Sequence, residues 1–158
     1  MDVKANYVLV KVKSRERADC TVLATQFAFG LSYENAHSLM AAHGRKLGCC
    51  AAFQVAAPKL GLVQRPDLSC QTVIKALEGM QNGRFVVKIS GHVFAVADGR
   101  IFDNHFTKPG ARVKMVYEVP LNNPEVMARY PYLEKCVALA KLPDIRGINQ
   151  RRLAGEVA

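Results

Sequence analysis

The stretch GHVFAVADGRIFDN, residues 91–104, joins two apolar runs through a short polar turn. Asp98-Gly99 is a dipeptide that favours two-residue hairpin turns, in which both central residues have positive φ. A turn of this length fixes which residues face each other across the two strands. The stretch therefore predicts an antiparallel hairpin in which His92 lies opposite His105.

Side-chain alternation along this hairpin brings two polar residues together. Successive residues of a strand point to opposite faces of the sheet, so His92 and Asp103 share one face and Asn104 points to the other. Diagonal neighbours lie about 7–8 Å apart at the backbone, a distance that side chains can close. We expect Asp103 to accept a hydrogen bond from the imidazole and so fix its tautomer. A register slip of one residue would make Asn104 the orienting residue instead.

The residues around the hairpin predict a sheet. Four runs rich in β-branched and aromatic residues are separated by glycine and proline turns. They are RFVVKIS (84–90), HVFAVA (92–97), RIFDNHF (100–106) and RVKMVYEV (112–119). We expect these runs to form an antiparallel meander. An alternating run over residues 7–13 predicts one further, N-terminal strand.

The first half of the chain predicts mainly helices. An apolar run begins at Cys20, with Asp19 as its expected N-cap and Gly30 as its end, and indicates a central helix that is buried on most sides. Three further helices are predicted in this half: from a Ser32 cap to Gly44, through 51–62 with a break at Pro58, and from a cap at Asp67 or Ser69 to Asn82-Gly83. Two more helices are predicted after the strands, over 123–130 and 132–142. Helices followed by an antiparallel sheet give an α+β fold.

The chain of 158 residues predicts a single domain, 1–158, because it is long enough to bury one core and contains no internal repeat. The basic end, 143–158, is expected to be loose. The apolar run LGCCAAFQVAAP (47–58) is too short to cross a bilayer, and the N-terminus lacks the layout of a signal peptide. We therefore expect a cytoplasmic protein without a membrane partner.

Charge and cysteine content narrow the partner classes. The 22 Lys and Arg exceed the 13 Asp and Glu, for a net charge of +9, which favours an acidic partner such as a host protein, or nucleic acid. No phosphate-binding glycine loop, RNA-binding aromatic signature or zinc finger supports nucleic acid. The five cysteines are odd in number and lack zinc-site spacing, so we expect reduced thiols and neither a metal nor a cofactor.

Cys20 stands at the expected start of the central helix. The thiolate is the nucleophilic form of cysteine, and a helix N-terminus favours it through unpaired N–H groups and the helix dipole. Arg15 and Arg17 add positive charge nearby. Cysteines outside disulfides are among the most buried residue types, so a core role for Cys20 is the alternative. With His92 as its base and Asp103 behind the base, Cys20 would complete a catalytic triad.

The order of these motifs resembles that of a known family. DCTVLA (19–24) opening a helix, followed by the hairpin stretch, resembles the papain-like cysteine peptidase superfamily, and most closely its small phage and bacterial members and bacteriocin-processing peptidases. The likeness covers about residues 14–104. In that superfamily a cysteine at the start of the central helix precedes a histidine and an Asp or Asn on an antiparallel sheet. The resemblance implies a papain-like fold and catalytic roles for Cys20, His92 and Asp103.

The segment before Cys20 departs from the family pattern. Many papain-like enzymes carry a glutamine there as an oxyanion donor, whereas this chain has KVKSRERADC (11–20). An oxyanion hole would then consist of the Cys20 backbone N–H together with Ser14, Arg15 or Arg17.

Three functions are open at this point. We expect a thiol hydrolase, in the first place a cysteine peptidase that acts on a peptide or protein substrate through an acyl-enzyme, in a phage-encoded or bacterial protein. One alternative is a non-catalytic papain-like binding protein, such as a phage inhibitor of a host protein. The other is an acyltransferase, because the same triad can pass an acyl group to an amine. A reactive Cys20 separates the enzymes from the binding protein.

Overall fold

A computed structural model of the chain describes residues 7–9, 19–46, 52–103 and 107–130. Its strands are β1 (Tyr7–Leu9), β2 (Val63–Gln64), β3 (Arg84–Ile89), β4 (His92–Ala97), β5 (Arg100–Asp103) and β6 (Met115–Glu118). Its helices are α1 (Cys20–Phe29), α2 (Tyr33–Ala42), α3 (Ala52–Lys59), α4 (Val73–Leu77) and α5 (Pro124–Arg129). The strands form one sheet in the order β1-β5-β4-β3-β6-β2. The fold is α+β, as predicted: β2 to β6 pair antiparallel with one another, and β1 lies at one edge of the sheet.

The hairpin of β4 and β5 has the predicted turn. Ala97 pairs with Arg100, and the two residues between them, Asp98 and Gly99, have φ of 48° and 79°. Both values lie in the left-handed region that this turn type requires. The predicted register is therefore confirmed for the described part of the hairpin, while His105 lies outside the described residues.

The fourth predicted strand of the sheet has a different neighbour from the expected one. β3, β4 and β5 form a meander, but β6 pairs with the outer side of β3, where Val116 faces Val87. β1 pairs with β5 in parallel, with Tyr7 opposite Ile101. The prediction of a four-strand antiparallel meander was wrong for β6, because an alternating pattern marks a strand without specifying its partner. Residues 10–13 of the predicted N-terminal strand lie outside the described residues.

Apolar side chains cover both faces of the sheet. The face that we call the α1 face packs against α1 and α3 through Val86, Val93, Ala95, Ala97, Phe102 and Tyr117. The opposite face, called the α4 face, packs against α4 through Phe85, Val87, Ile89, Phe94, Val96, Ile101 and Val116. Strands covered on both sides are buried along their length, which explains why β3 and β4 are apolar almost throughout.

α1 is the buried central helix that the sequence predicts. All ten of its residues are buried, and Gly30 ends it with a left-handed φ of 68°. The helix packs on β4. The guanidinium of the buried Arg84 donates to the backbone carbonyl of Phe27. Asp19 precedes the helix as predicted, but its side chain makes no capping hydrogen bond.

α2 begins and ends where the sequence predicts. The Ser32 hydroxyl accepts a hydrogen bond of 3.0 Å from the Asn35 backbone N–H, and the chain leaves the helix before Gly44, which has a φ of 89°. α3 contains Pro58 and ends one residue after it. None of the helices in the described part of the chain is long and apolar enough to cross a membrane. The predicted helix at 132–142 and the basic end at 143–158 lie outside the described residues.

The predicted long helix over residues 67–82 was wrong. A 3₁₀ turn occupies Pro66–Leu68, and α4 begins only after Thr72, whose hydroxyl is its N-cap in place of Asp67 or Ser69. Between the 3₁₀ turn and α4, the backbone makes hydrogen bonds to the segment that leads into β6. The Val113 carbonyl accepts from the Cys70 N–H at 2.9 Å, and the Val113 N–H donates to the Gln71 carbonyl at 2.8 Å. Because these backbone groups are used outside a helix, the helix starts later than its sequence pattern suggests.

Candidate active site

The hairpin brings His92 and Asp103 into direct contact. The Nε2 atom of His92 lies 2.9 Å from each carboxylate oxygen of Asp103. Only 12 % of the His92 side chain and 2 % of the Asp103 side chain are exposed. A carboxylate only accepts hydrogen bonds, so Nε2 carries the hydrogen and Nδ1 of the neutral ring is the basic nitrogen. The predicted orientation of the imidazole by Asp103 is thus present in the folded chain.

Two further side chains adjoin this pair. The ring of Phe94 lies 6.1 Å from the His92 ring, centroid to centroid, as expected for residues two apart on one strand face. The hydroxyl of the buried Thr107 lies 3.5 Å from Oδ2 of Asp103. Alternation in the sequence indicates the contact with Phe94. No pattern indicates Thr107, because it follows the hairpin in an irregular segment.

Cys20 is the first residue of α1, and 8 % of it is exposed. It belongs to the apolar cluster of the α1 face, which includes Val93, the residue directly after His92. The first N–H groups of a helix have no acceptor within the helix and create a positive potential at its start. Cys20 therefore has the helix-start position that the sequence predicts.

One hydrogen bond places the later part of α1 near the last residue of β4. Phe27, near the end of α1, accepts from Arg84. Arg84 pairs with Ala97, the last residue of β4. The end of α1 therefore lies near Ala97. At the other end of the helix, Cys20 shares an apolar cluster with Val93, the residue after His92, and from these two points we infer that Cys20 and His92 lie toward the same end of the sheet.

Distances along the two elements agree with this arrangement. The ring of Phe27 stacks on that of Phe102 with centroids 5.3 Å apart, and Phe102 pairs with Ala95. Cys20 precedes Phe27 by seven residues, which is about 10 Å along a helix axis. His92 precedes Ala95 by three residues, which is about 10 Å along a strand. A parallel alignment of α1 with β4 would therefore bring Cys20 to about the level of His92.

The thiol and the imidazole belong to different faces of the sheet. Cys20 packs with residues of the α1 face, whereas the ring of His92 adjoins Phe94, a residue of the α4 face. A direct contact between them would have to pass around the start of β4, because His92 is the first residue of that strand.

Buried polar side chains hold the first turn of α1. The Tyr33 hydroxyl donates to Oδ2 of Asp19 at 3.0 Å, and Nε of Arg45 donates to the Thr21 hydroxyl at 2.7 Å. All four residues are buried. Asp19 and Thr21 flank Cys20, so these bonds fix the backbone on both sides of the thiol. The sequence did not indicate Tyr33 or Arg45, because both contacts are made by residues more than ten positions away.

Several predicted site residues lie outside the described residues. They are the oxyanion candidates Ser14, Arg15 and Arg17, the alternative orienting residue Asn104, and the thiols Cys49, Cys50 and Cys136. Cys70 is described and is exposed. Within the described ranges, no three His, Cys, Asp or Glu side chains converge as a metal site would require.

Comparisons with models of protein families, with curated proteins and with solved structures found no match to this chain.

Proposed function

We propose that this protein is a thiol hydrolase with a papain-like fold, in the first place a cysteine peptidase, in which Cys20, His92 and Asp103 form a catalytic triad. The observation that carries the proposal is the hydrogen-bonded pair of His92 and Asp103. Cys20 is the first residue of α1, and we infer that it lies toward the same end of the sheet. A cysteine nucleophile needs a base, and the base needs an orienting group. The three residues supply these parts in a partly buried setting.

The proposed reaction follows from the tautomer of His92. Nδ1 takes the proton from the Cys20 thiol, and the thiolate attacks the carbonyl carbon of the substrate amide. The C–N bond breaks, His92 returns the proton to the leaving amine, and a thioester remains on Cys20. Water, deprotonated by Nδ1, then attacks the thioester and releases a carboxylic acid and the thiol. Asp103 keeps Nε2 protonated and stabilises the imidazolium that forms between these steps.

A non-catalytic binding protein of the same fold is the second candidate. The low exposure of Cys20, 8 %, favours it, because a nucleophile has to reach its substrate. An acyltransferase differs from the hydrolase only in the acceptor of the acyl group. The proposed partners are a peptide or protein substrate for the enzymes and an acidic host protein for the binding protein.

The test is the relative reactivity of the thiols. The protein is treated with a limiting amount of iodoacetamide near neutral pH, and the labelled cysteine is mapped by mass spectrometry. We expect Cys20 to be labelled first, although Cys70 is more exposed, because the proposed triad makes Cys20 the better nucleophile. The His92→Ala variant should lose this preference. Labelling of Cys70 ahead of Cys20 in the unmodified protein would contradict the proposal.

A further inference from the structure

A groove of about 530 Å³ lies on the sheet where the chain before β6 separates from the end of β3. The last bond between the two runs from the Lys114 backbone N–H to the Lys88 carbonyl. Before Lys114 the chain turns instead toward the segment that precedes α4, where Val113 donates to Gln71. The two backbones diverge at this point, and the space between them is the groove. Its volume lies in the range typical of ligand sites.

The groove is apolar with a cationic rim. Ile89, Ala111 and Val113 supply its apolar lining, and the exposed side chains of Arg112 and Lys114 border it. None of the residues that line it is acidic. An apolar side chain flanked by carboxylates complements such a surface, because the apolar part leaves water and the carboxylates face the two cations.

The groove lies close to His92 in the sheet, through the strand partner of that residue. Ile89 lies directly opposite His92 in the ladder of β3 and β4. Directly opposite residues point to the same face with Cβ atoms about 4.5–5.5 Å apart. Ser90, in the turn between the two strands, also lines the groove. A peptide segment that fills the groove would therefore lie on the face that carries the His92 side chain, and it would continue around the start of β4 to meet Cys20, which packs on the other face.

We propose that this groove binds an extended peptide segment in which an apolar residue is flanked by acidic residues, and that it selects such segments as substrates. The second half of this inference rests on the proposed function, because it takes Cys20 as the nucleophile that the bound segment reaches. The first half, binding, does not depend on catalysis. The net charge of +9 favours acidic segments at long range.

Binding is measured on the Cys20→Ala variant, which cannot turn over a substrate. The probe is a fluorescein-labelled peptide, Glu-Glu-Leu-Glu-Glu-Gly, and the control peptide has Gln in place of every Glu. At 0.1 M salt we expect Lys114→Glu to weaken binding of the acidic peptide about tenfold, because the reversal removes one exposed attraction and adds one repulsion of up to about fivefold each. Added salt should reduce the difference.

Lys59→Glu is the matched control. Lys59 is an exposed residue of α3, which packs on the opposite face of the sheet, and its reversal changes the net charge by the same amount. We expect it to leave the affinity within about twofold of the parent, because surface charges separated by more than about 10 Å are largely screened at 0.1 M salt. Equal losses from Lys59→Glu and Lys114→Glu, or equal binding of the Glu and Gln peptides, would overturn the inference.

Alkylation of Cys70 gives an independent measure of groove occupancy, because Cys70 is exposed and is part of the lining. A bound acidic peptide should slow the alkylation of Cys70 by N-ethylmaleimide several-fold. Binding without this protection, or protection by a single-stranded oligonucleotide in place of the peptide, would contradict a peptide groove here. If Cys20→Ala does not bind the peptide but Cys20 of the unmodified protein is its most reactive thiol, the proposed groove is contradicted and the proposed function is not. If Cys20→Ala binds the peptide but Cys20 of the unmodified protein is unreactive, the proposed function is contradicted and the groove is not.

Discussion

His92 and Asp103 are joined across the β4–β5 hairpin, with Nε2 of the imidazole 2.9 Å from both carboxylate oxygens. The pairing depends on the two-residue turn, because one more or one fewer residue would send Asp103 to the opposite face. The backbone conformation at Asp98 and Gly99 therefore decides which side chain orients the imidazole.

Removal of the carboxylate tests this relationship. Asp103→Ala should lower the rate of Cys20 alkylation at neutral pH by about tenfold or more, because the ring is then free to adopt the other tautomer and loses the charge that stabilises imidazolium. Asp103→Asn should retain more reactivity than the alanine variant, since the amide oxygen still accepts from Nε2. Asn104→Ala should change the rate little. The reverse order, with Asn104→Ala the more damaging change, would indicate that Asn104 is the orienting residue.

The turn itself is testable through Gly99, whose φ of 79° lies in the left-handed region. Gly99→Ala should lower the free energy of unfolding by about 1–2 kcal/mol, because a Cβ is strained at this φ. The new Cβ would also lie 2.7 Å from Oε1 of Gln81, which has to move. Gly110→Ala is the control, since no atom lies within 4 Å of its added Cβ, and we expect a change within about 0.5 kcal/mol. Urea denaturation measures both; equal effects would contradict a specific requirement at Gly99.

The bond between Tyr33 and Asp19 should matter for Cys20 as well as for stability. Tyr33→Phe removes a hydrogen bond to a buried carboxylate next to the thiol and should cost about 1–3 kcal/mol of unfolding free energy. It should also slow the alkylation of Cys20, because the first turn of α1 is held less firmly. Tyr130→Phe removes a buried bond of 2.9 Å to the Leu60 carbonyl, away from this turn. We expect that control to destabilise the protein without slowing alkylation; a parallel loss of reactivity in both variants would attribute the effect to stability alone.

Arg65 and Asp67 give the fold a dependence on pH. Two hydrogen bonds, of 2.9 and 2.8 Å, join the Arg65 guanidinium to both carboxylate oxygens and lower the pKa of Asp67 below its ordinary value. A carboxyl whose pKa is lowered by folding stabilises the native state above its unfolded pKa, and this contribution disappears as the pH falls through the folded pKa. Asp67→Asn should therefore lower the urea midpoint at pH 7, and the two proteins should converge only as the pH falls below the lowered pKa of Asp67.

Glu78→Gln is the matched control for that comparison. The side chains of Glu78 and Asp67 are both 59 % exposed, but Glu78 meets Lys75 through a single contact of 3.2 Å. We expect a smaller loss at pH 7 from this change, because an exposed single contact contributes little. A gap between the parent protein and Asp67→Asn that stayed constant from pH 7 to pH 2 would rule out the ion pair as its cause.

Short sequence motifs correctly predicted the turns and helix ends that depend on neighbouring residues. Asp98-Gly99 predicts its own turn, the turn predicts the register, and the register predicts the contact of Asp103 with His92. Gly30 likewise ends α1 where the apolar run stops. Each of these signals acts within a dozen residues.

Contacts between distant segments were not predictable in the same way. The position of β6 beside β3 depends on where the chain goes after the hairpin, and α4 is shortened by bonds between Cys70 and Val113, which lie more than forty residues apart. Arg45 reaches Thr21 only because α2 folds back beside α1. No local sequence pattern predicts any one of these contacts, so they are seen only in the folded chain.

Formation of an acyl-enzyme separates the hydrolase from the binding protein. p-Nitrophenyl acetate is small enough to reach a thiol of low exposure, and its leaving group needs no protonation. An active triad should release one nitrophenol per chain in a rapid burst and leave an acetyl group on Cys20, found by mass spectrometry. Cys20→Ala should reduce the burst rate by at least about a thousandfold, whereas Cys136→Ala should leave it unchanged. A burst that survives Cys20→Ala, or no burst at all in the folded parent protein, would favour the binding protein. The effect of an added amine then separates the two enzymes. If the acetyl group leaves Cys20 faster and the amine is acetylated in proportion, the amine is the acyl acceptor and the protein is an acyltransferase. If the rate does not depend on the amine, water is the acceptor and the protein is a hydrolase.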